Sequence, residues 1–431
     1  MEVDAAGASA AERVPPELWL VILQYAVHID NEMLQFGTFD PFDSPVTSPP
    51  FAWSARDSIA IRENIGLRHN LVLVCRLWHA LISPTIYEIV FLNSDASVRS
   101  IHRTLVMTAG RSDLGRQTRH FLLGNATHES AILLAAVFRC MPLIQTVSLW
   151  PLCISNETGR DIVWPEEVSD ALGQTCGASL LKLNLGYDSS IFFTGSKDVL
   201  HRLLTHTPNL RSLGILDDFL AHSLRLPRLD NLSFLLAQPG LTTSFQETET
   251  EPPFPSLTHF YIQASRWPRD TGFLSKQGSL ITSLTLNVED FTHFSRPDII
   301  LQRIAALWTI LPHITRVHLI THRDQKLGRI FLALPPTTTH LGIWSLPPFT
   351  ETNHTSGLAL LEEQEVFLRG APELPAPSVV RFTNPEHARW MREVMEDQKL
   401  DRMAPLRRRG LFKLEDWEGG VLLELEGDRE V

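Results

Sequence analysis

The chain has 431 residues, 44% hydrophobic and 20% charged, the balance of a globular protein with material for a large core and about three domains. Its net charge of −11 argues against general binding to nucleic acid or an anionic membrane surface, both of which call for a basic patch. Cys75, Cys140, Cys153 and Cys176 form no C-x-x-C pair, which argues against a zinc or dithiol redox site and fits a reducing compartment. The longest fully apolar run, Ala131 to Phe138, is far short of a membrane span, and the acidic N-terminus has no apolar signal core. The prediction is an intracellular protein of cytoplasm, nucleus or both, with no cofactor, metal, nucleic acid or membrane to bind.

In chain order, residues 1–12 are expected to be disordered. Val14–His28 (VPPELWLVILQYAVH) follows as an apolar helix. Pro16 suits a first helical turn, Glu17 favours its positive end, and Leu18, Ile22, Tyr25 and Ile29 share one face. Residues 29–66 form a polar, proline-rich insertion that nevertheless carries Phe36, Phe39, Phe42, Phe51 and Trp53. Those aromatics are either tucked onto the domain or offered to a partner. Residues 54–66 read as a short helix capped by Ser54 and closed by Gly66. Leu71–Phe91 (LVLVCRLWHALISPTIYEIVF) is a second apolar helical run, with Leu71, Val74, Trp78, Leu81 and Ile82 in one stripe. Helices apolar on nearly all sides must be buried on more than one side, against their own domain and against something else. Through Asp95 the chain has 12 acidic residues, 5 Arg and no Lys, so an acidic rim is expected around that surface.

The two runs together resemble the F-box of fungal F-box proteins. The resemblance is carried by Val14, Pro15, Glu17, Leu18, Ile22 and Leu23, then Leu71, Val74, Cys75, Arg76, Trp78, Leu81, Pro84, Ile86 and Tyr87. The V-C-R-x-W-x-x-L block is its specific part; the interruption at 29–66 is its departure, since the motif is usually continuous. The alternative is two ordinary core helices. The resemblance implies docking on a Skp1-like adaptor, and through it on a cullin, with Val14, Pro15, Glu17, Leu18, Ile22, Leu23, Leu71, Val74, Cys75, Trp78, Pro84 and Tyr87 bearing on the contact. Trp78 is either part of that contact or core, in which case truncating it costs ~3–5 kcal/mol.

From there the chain repeats a template of proline, then apolar positions spaced as a short strand. Pro142, Ile144, Val147 and Leu149 set the pattern. Copies follow Pro208, Pro227, Pro255, Pro312 and Pro336, and copies without proline end on Leu123, Leu185 and Leu286. Pro84, Ile86, Ile89 and Phe91 also fit, so the first copy joins the F-box directly. Helical stretches such as Glu129–Cys140, Lys197–His206 and Asp298–Leu311 occupy the gaps. The expected fold is therefore α/β: a small helical F-box with a proline-rich insertion (13–92), then an irregular leucine-rich-repeat-like solenoid with a parallel concave sheet (93–384). A doubly wound α/β sheet is the rival architecture. Val379–Phe382 reads as a last strand, and 385–431 as a helix followed by an acidic tail that either caps the array or binds a partner.

No motif for catalysis stands in its required context. His322-Arg323-Asp324 imitates a kinase loop without its companions, and Asp217-Asp218 lacks the further oxygens a cation wants. The F-box resemblance, with repeats commonly following it, implies a non-catalytic substrate-recognition subunit of an SCF-type (Skp1–cullin–F-box) ubiquitin ligase. An unknown protein client would lie on the concave strand positions Ser148, Asn184, Gly214, Tyr261, Thr285, His318 and Gly342. The alternative is a non-ligase leucine-rich-repeat scaffold whose helical start caps the array.

Overall fold

The structure, a computed structural model, describes residues 14–27, 42, 55–108, 112–124, 128–149, 166–185, 197–215, 226–237, 252–263, 272–287, 305–321, 334–345, 378–385, 388–389 and 413–424. Among the described residues it opens with three helices: α1 (Pro16–Ala26), α2 (Ala55–Val72) and α3 (Arg76–Ile86). Pro16 occupies the first turn of α1, with Glu17 beside it. These helices bury a small core of Leu23, Val27 and Ile82, against which Leu71, Val72, Trp78, Leu81 and Ile86 pack.

Two helix boundaries differ from the sequence reading. Gly66 does not close a short helix: α2 continues through it for six more residues to Val72, and no atom lies within 4 Å of where a side chain on Gly66 would begin. Arg68 explains the continuation. It is buried, at 3% exposed, and its hydrogen bonds are satisfied only if the helix carries it past Gly66. The second apolar run, in turn, is not one helix. It breaks at residues 73–75, where Cys75 takes an extended conformation and its thiol accepts the Trp78 amide hydrogen at 3.4 Å to cap α3.

Among the described residues thirteen strands then form one sheet whose spatial order equals the chain order. They are β1 (Ile89–Leu92), β2 (His120–Leu123), β3 (Thr146–Leu149), β4 (Lys182–Leu185), β5 (Ser212–Ile215), β6 (Phe234–Ala237), β7 (His259–Gln263), β8 (Ser283–Asn287), β9 (Arg316–Thr321), β10 (His340–Ser345), β11 (Val379–Phe382), β12 (Lys413–Glu415) and β13 (Val421–Glu424). Every neighbouring pair from β1 to β12 is parallel, and β13 alone returns antiparallel. A doubly wound sheet reverses its order at a switch point; this sheet never does. Strands β2 to β10 start alike: two successive N–H groups donate to one carbonyl at the start of the strand before, as Gln145 and Thr146 do to Arg119 and Thr315 and Arg316 do to Thr282.

One face of the sheet carries the main core. Phe121, Val147, Leu183, Leu213, Leu235, Phe260, Leu284, Val317 and Leu341 are successive partners across the strands and are all buried. Against them lie α4 (Asp95–His102), continued as a π-turn over Arg103–Met107, then α6 (His128–Arg139), α7 (Glu166–Cys176) and α8 (Lys197–Thr205), which supply Val98, Leu134, Phe138, Leu172 and Leu203. Two short helices, α5 (Ser112–Gly115) and α9 (Gly272–Gln277), are also described, as is a helical stretch over residues 305–310. Glycines permit close approach between successive units: a Cβ on Gly177 would stand 2.1 Å from the carbonyl oxygen of His206, and one on Gly278 equally close to that of Ile310.

Eight of the ten predicted strand copies fall in this register. The two exceptions are shifts. In β1, Val90 and Leu92 pair with Phe121 and Leu123, so Ile89 and Phe91 point to the other face. In β6, Leu235 aligns with Leu213, so Leu232 fills the slot that Leu210 fills one repeat earlier and Phe234 faces away from the main core. Proline spacing misled both, because the link from proline to strand varies in length while the ladder does not. Val379–Phe382 is a strand but not the last. β12 and β13 extend the sheet as a hairpin, whose Asp416 carboxylate accepts the N–H groups of Glu418 (3.0 Å) and Gly420 (2.6 Å), with Gly419 at φ +83°. Most of the predicted helix after Pro385, residues 1–12, His322–Asp324 and Asp217–Asp218 lie outside the described residues.

Candidate functional site

The side of α1 turned away from the small core is apolar and uncovered. Leu18, Val21, Ile22 and Tyr25 are exposed, Tyr25 at 85%. At 100° per residue they span an arc of about 100°, while Leu23 and Val27 lie opposite. At the α2–α3 turn Leu73 (81% exposed), Val74 and Leu77 are uncovered too. Exposed large apolar side chains gathered on one small unit mark an interaction surface, because a lone soluble domain minimises such patches.

The predicted docking residues divide between this surface and its support. Leu18, Ile22 and Val74 are exposed, as are Pro15 and Glu17 at the start of α1, Cys75 at the cap of α3, and Pro84 inside α3. Val14, Leu71 and Tyr87 are half-buried. Leu23, at 1% exposed, is core and offers nothing to a partner. Helical phase accounts for this: Leu23 is one residue beyond Ile22, and 100° of turn carries it toward α3. Trp78 lies between the groups, half-buried, with its ring 5.1 Å from that of Trp19 at 57°.

Arg68 holds this unit to the sheet. Its Nε donates to Asn64 Oδ1 (2.9 Å), Nη2 to the Val27 carbonyl at the end of α1 (2.9 Å), and Nη1 to the Thr85 carbonyl of α3 and to Glu88 Oε2 (3.0 Å) beside β1. Burial pulls its pKa down; the Glu88 carboxylate opposes that and keeps the cation in place. A second seam joins α2 to the first strands, where Ile61 and Ile65 cover Ile89, Phe91 and Leu122 and the Arg62 guanidinium lies 5.4 Å from the Phe91 ring centre.

The seven predicted client-face residues do fall in one row. Ser148 pairs with Asn184 and Asn184 with Gly214; across β6, Leu236 leads to Tyr261, then Thr285, His318 and Gly342. They are not open to solvent in the structure. Ser148, Gly214, Tyr261, Thr285, His318 and Gly342 are buried and Asn184 is half-buried. The face away from the main core is packed in its own right: Phe234, Leu236, Tyr261, Ile320 and Trp344 form a second apolar cluster. Polar side chains there pair with each other, His259 Nε2 with Thr285 Oγ1 and His318 Nε2 with Thr383 Oγ1, both at 2.9 Å. Alternation along a strand assigns a side chain to a face but does not say what covers that face.

Among the described residues no group of three or more His, Cys, Asp or Glu has the placement to hold a metal ion, and no helix is long and apolar enough to cross a membrane. Together the sheet and the helical unit define an α/β protein with a strictly sequential parallel sheet and an appended helical unit that exposes an apolar surface. No protein-family model matches the chain, and no curated protein matches it.

Proposed function

We propose that this chain is an F-box protein with leucine-rich-repeat-like units, acting as the substrate-recognition subunit of an SCF-type ubiquitin ligase. Helices α1–α3 would bind a Skp1-like adaptor and through it a cullin, and the repeat array would hold a protein client. The observation that carries the proposal is the uncovered apolar arc of Leu18, Val21, Ile22 and Tyr25 on a unit already folded around Leu23, Val27 and Ile82. In this role the chain supplies no catalytic group. Its contribution is proximity, since a client lysine held at high effective concentration reacts at other subunits. Arg68 and the Ile61 seam support the same role, because positioning a client requires a stiff joint between docking unit and array.

The Ile61–Leu122 contact also favours the competing scaffold, in which the helices only cap the sheet. A cap, however, uses α2 and leaves the α1 arc without a purpose. Co-purification with the adaptor, with Leu18→Asp/Ile22→Asp as control, separates the two. Capture by wild type and loss in the double variant favours the ligase subunit; no capture by either favours the scaffold.

A further inference from the structure

We propose that the sheet face opposite the main core carries, across β10–β12, a binding site for an aromatic side chain and the backbone carbonyl of its own residue on a peptide, and that Phe42 fills it as an internal stand-in. Phe42 belongs to the insertion between α1 and α2, yet its contacts are with strands some 300 residues further along the chain. Its ring meets that of His340 edge-on, with centres 5.3 Å apart at 72°. Its Cζ lies 3.3 Å from where a Cβ on Gly342 would stand, so the missing side chain leaves the space that the ring uses. The Arg381 guanidinium lies 5.5 Å from the ring centre, and its Nη1 donates to the Phe42 carbonyl at 3.1 Å.

The pocket is built without help from Phe42. Gly342, Arg381 and Glu415 are successive partners on β10, β11 and β12. Glu415 Oε2 accepts from Arg381 Nε (2.9 Å) and Nη2 (2.6 Å), and the other carboxylate oxygen meets Lys413 Nζ at 2.8 Å. Gly419 lets the hairpin close against the guanidinium, since a Cβ there would stand 2.9 Å from Nη2. The cation is therefore fixed in advance, aimed at a ring and at a backbone carbonyl. A peptide that places an aromatic ring beside its own backbone carbonyl presents that pair of features, and preorganisation lowers the cost of binding it.

Phe42 is half-buried and tethered. A tether supplies an effective concentration on the order of millimolar, enough to hold off a free peptide of similar intrinsic affinity. A client would thus have to outcompete Phe42, which makes the site selective for clients concentrated locally or carrying further contacts. Naming the incoming peptide a client rests on the function proposed above; the pocket itself does not.

The test is fluorescence anisotropy of a labelled peptide with the sequence of residues 38–46 (TFDPFDSPV), titrated with the full chain. Phe42→Ala is expected to bind it at least ~10-fold more tightly than wild type, because the internal competitor is gone. The same peptide carrying both Phe39→Ala and Phe42→Ala should not bind. Adding Arg381→Lys to the Phe42→Ala chain should weaken binding ~5–10-fold, since lysine keeps a charge for Glu415 but loses the planar fork. A folded Phe42→Ala chain that binds no better than wild type, or binding indifferent to the peptide's aromatic ring, overturns the proposal. Should Phe42→Ala not fold, wild type is titrated to ~5 mM peptide, above the tether's effective concentration. Saturable binding weakened by Arg381→Lys then supports the site, and its absence overturns it. Adaptor capture is run on the same samples. Its loss with peptide binding intact counts against the ligase assignment alone, and the reverse counts against this site alone.

Discussion

Arg68 and Glu88 meet at 3.0 Å, and that contact joins the three-helix unit to the first strand of the sheet. Arg68 is 3% exposed and also donates to Val27 and Thr85 carbonyls, so Arg68→Met strips donors from two backbone acceptors at once. A loss of roughly 2–4 kcal/mol is expected from urea unfolding. Glu88→Gln should cost less than ~1 kcal/mol, because the Glu88 side chain is 43% exposed and water takes up its role.

Gly177→Ala tests the stacking of successive units. The new methyl would meet the His206 carbonyl oxygen at 2.1 Å and that of Gly173 at 2.3 Å, both backbone atoms that cannot swing aside. A loss of about 1–3 kcal/mol is predicted, the range for overpacking a filled site. Gly66→Ala is the control: nothing lies within 4 Å, and alanine favours the helix, so thermal stability should hold or rise.

His120 should give the fold a pH dependence. Burial, opposed by Glu88 and reinforced by Lys182, Arg68 and Arg119, lowers its pKa to about 4. The unfolded chain, titrating near 6.5, then binds a proton that the native chain refuses. The stability is fully present above about pH 6.5 and is lost as pH falls toward 4, by on the order of 2–3 kcal/mol. Urea midpoints at pH 7 and pH 4.5 should differ more for wild type than for His120→Gln.

Much of this architecture was legible from spacing. The alternation around Val147, Leu183, Leu213, Phe260 and Leu319 assigned strands to a sheet face because a ladder has a fixed period of two. Sequence had less hold on what depends on contacts distant along the chain. Nothing near Gly66 announces that Arg68 must reach Val27 and Thr85, and nothing near Phe42 announces Arg381. The β12–β13 hairpin did leave a signal, since Leu414 and Val421 flank Asp416 and the Gly419-Gly420 pair, a turn composition hidden by the acidic character of the tail. The burial of the client row was illegible for another reason: a face with polar positions invites a partner in sequence, but its covering is settled by packing.

The docking residues should separate into two kinds. Leu23→Ala opens a cavity in the small core and should cost about 2–5 kcal/mol. Leu18→Ala removes an exposed side chain and should stay within about 0.5 kcal/mol of wild type. Trp78→Ala loses the Trp19 contact, so its melting temperature should fall along with any loss of adaptor capture. Differential scanning fluorimetry beside capture measurements reads both effects.

The proposed function requires the uncovered α1 arc to receive a Skp1-like adaptor. Its most direct test is co-purification of that adaptor with the full chain and with Leu18→Asp/Ile22→Asp, alongside melting curves for both. The account predicts capture by wild type and at least a ~100-fold loss of affinity in the double variant at unchanged melting temperature, as expected when two charges enter an apolar interface. Equal capture by both chains, or none by wild type, would contradict it.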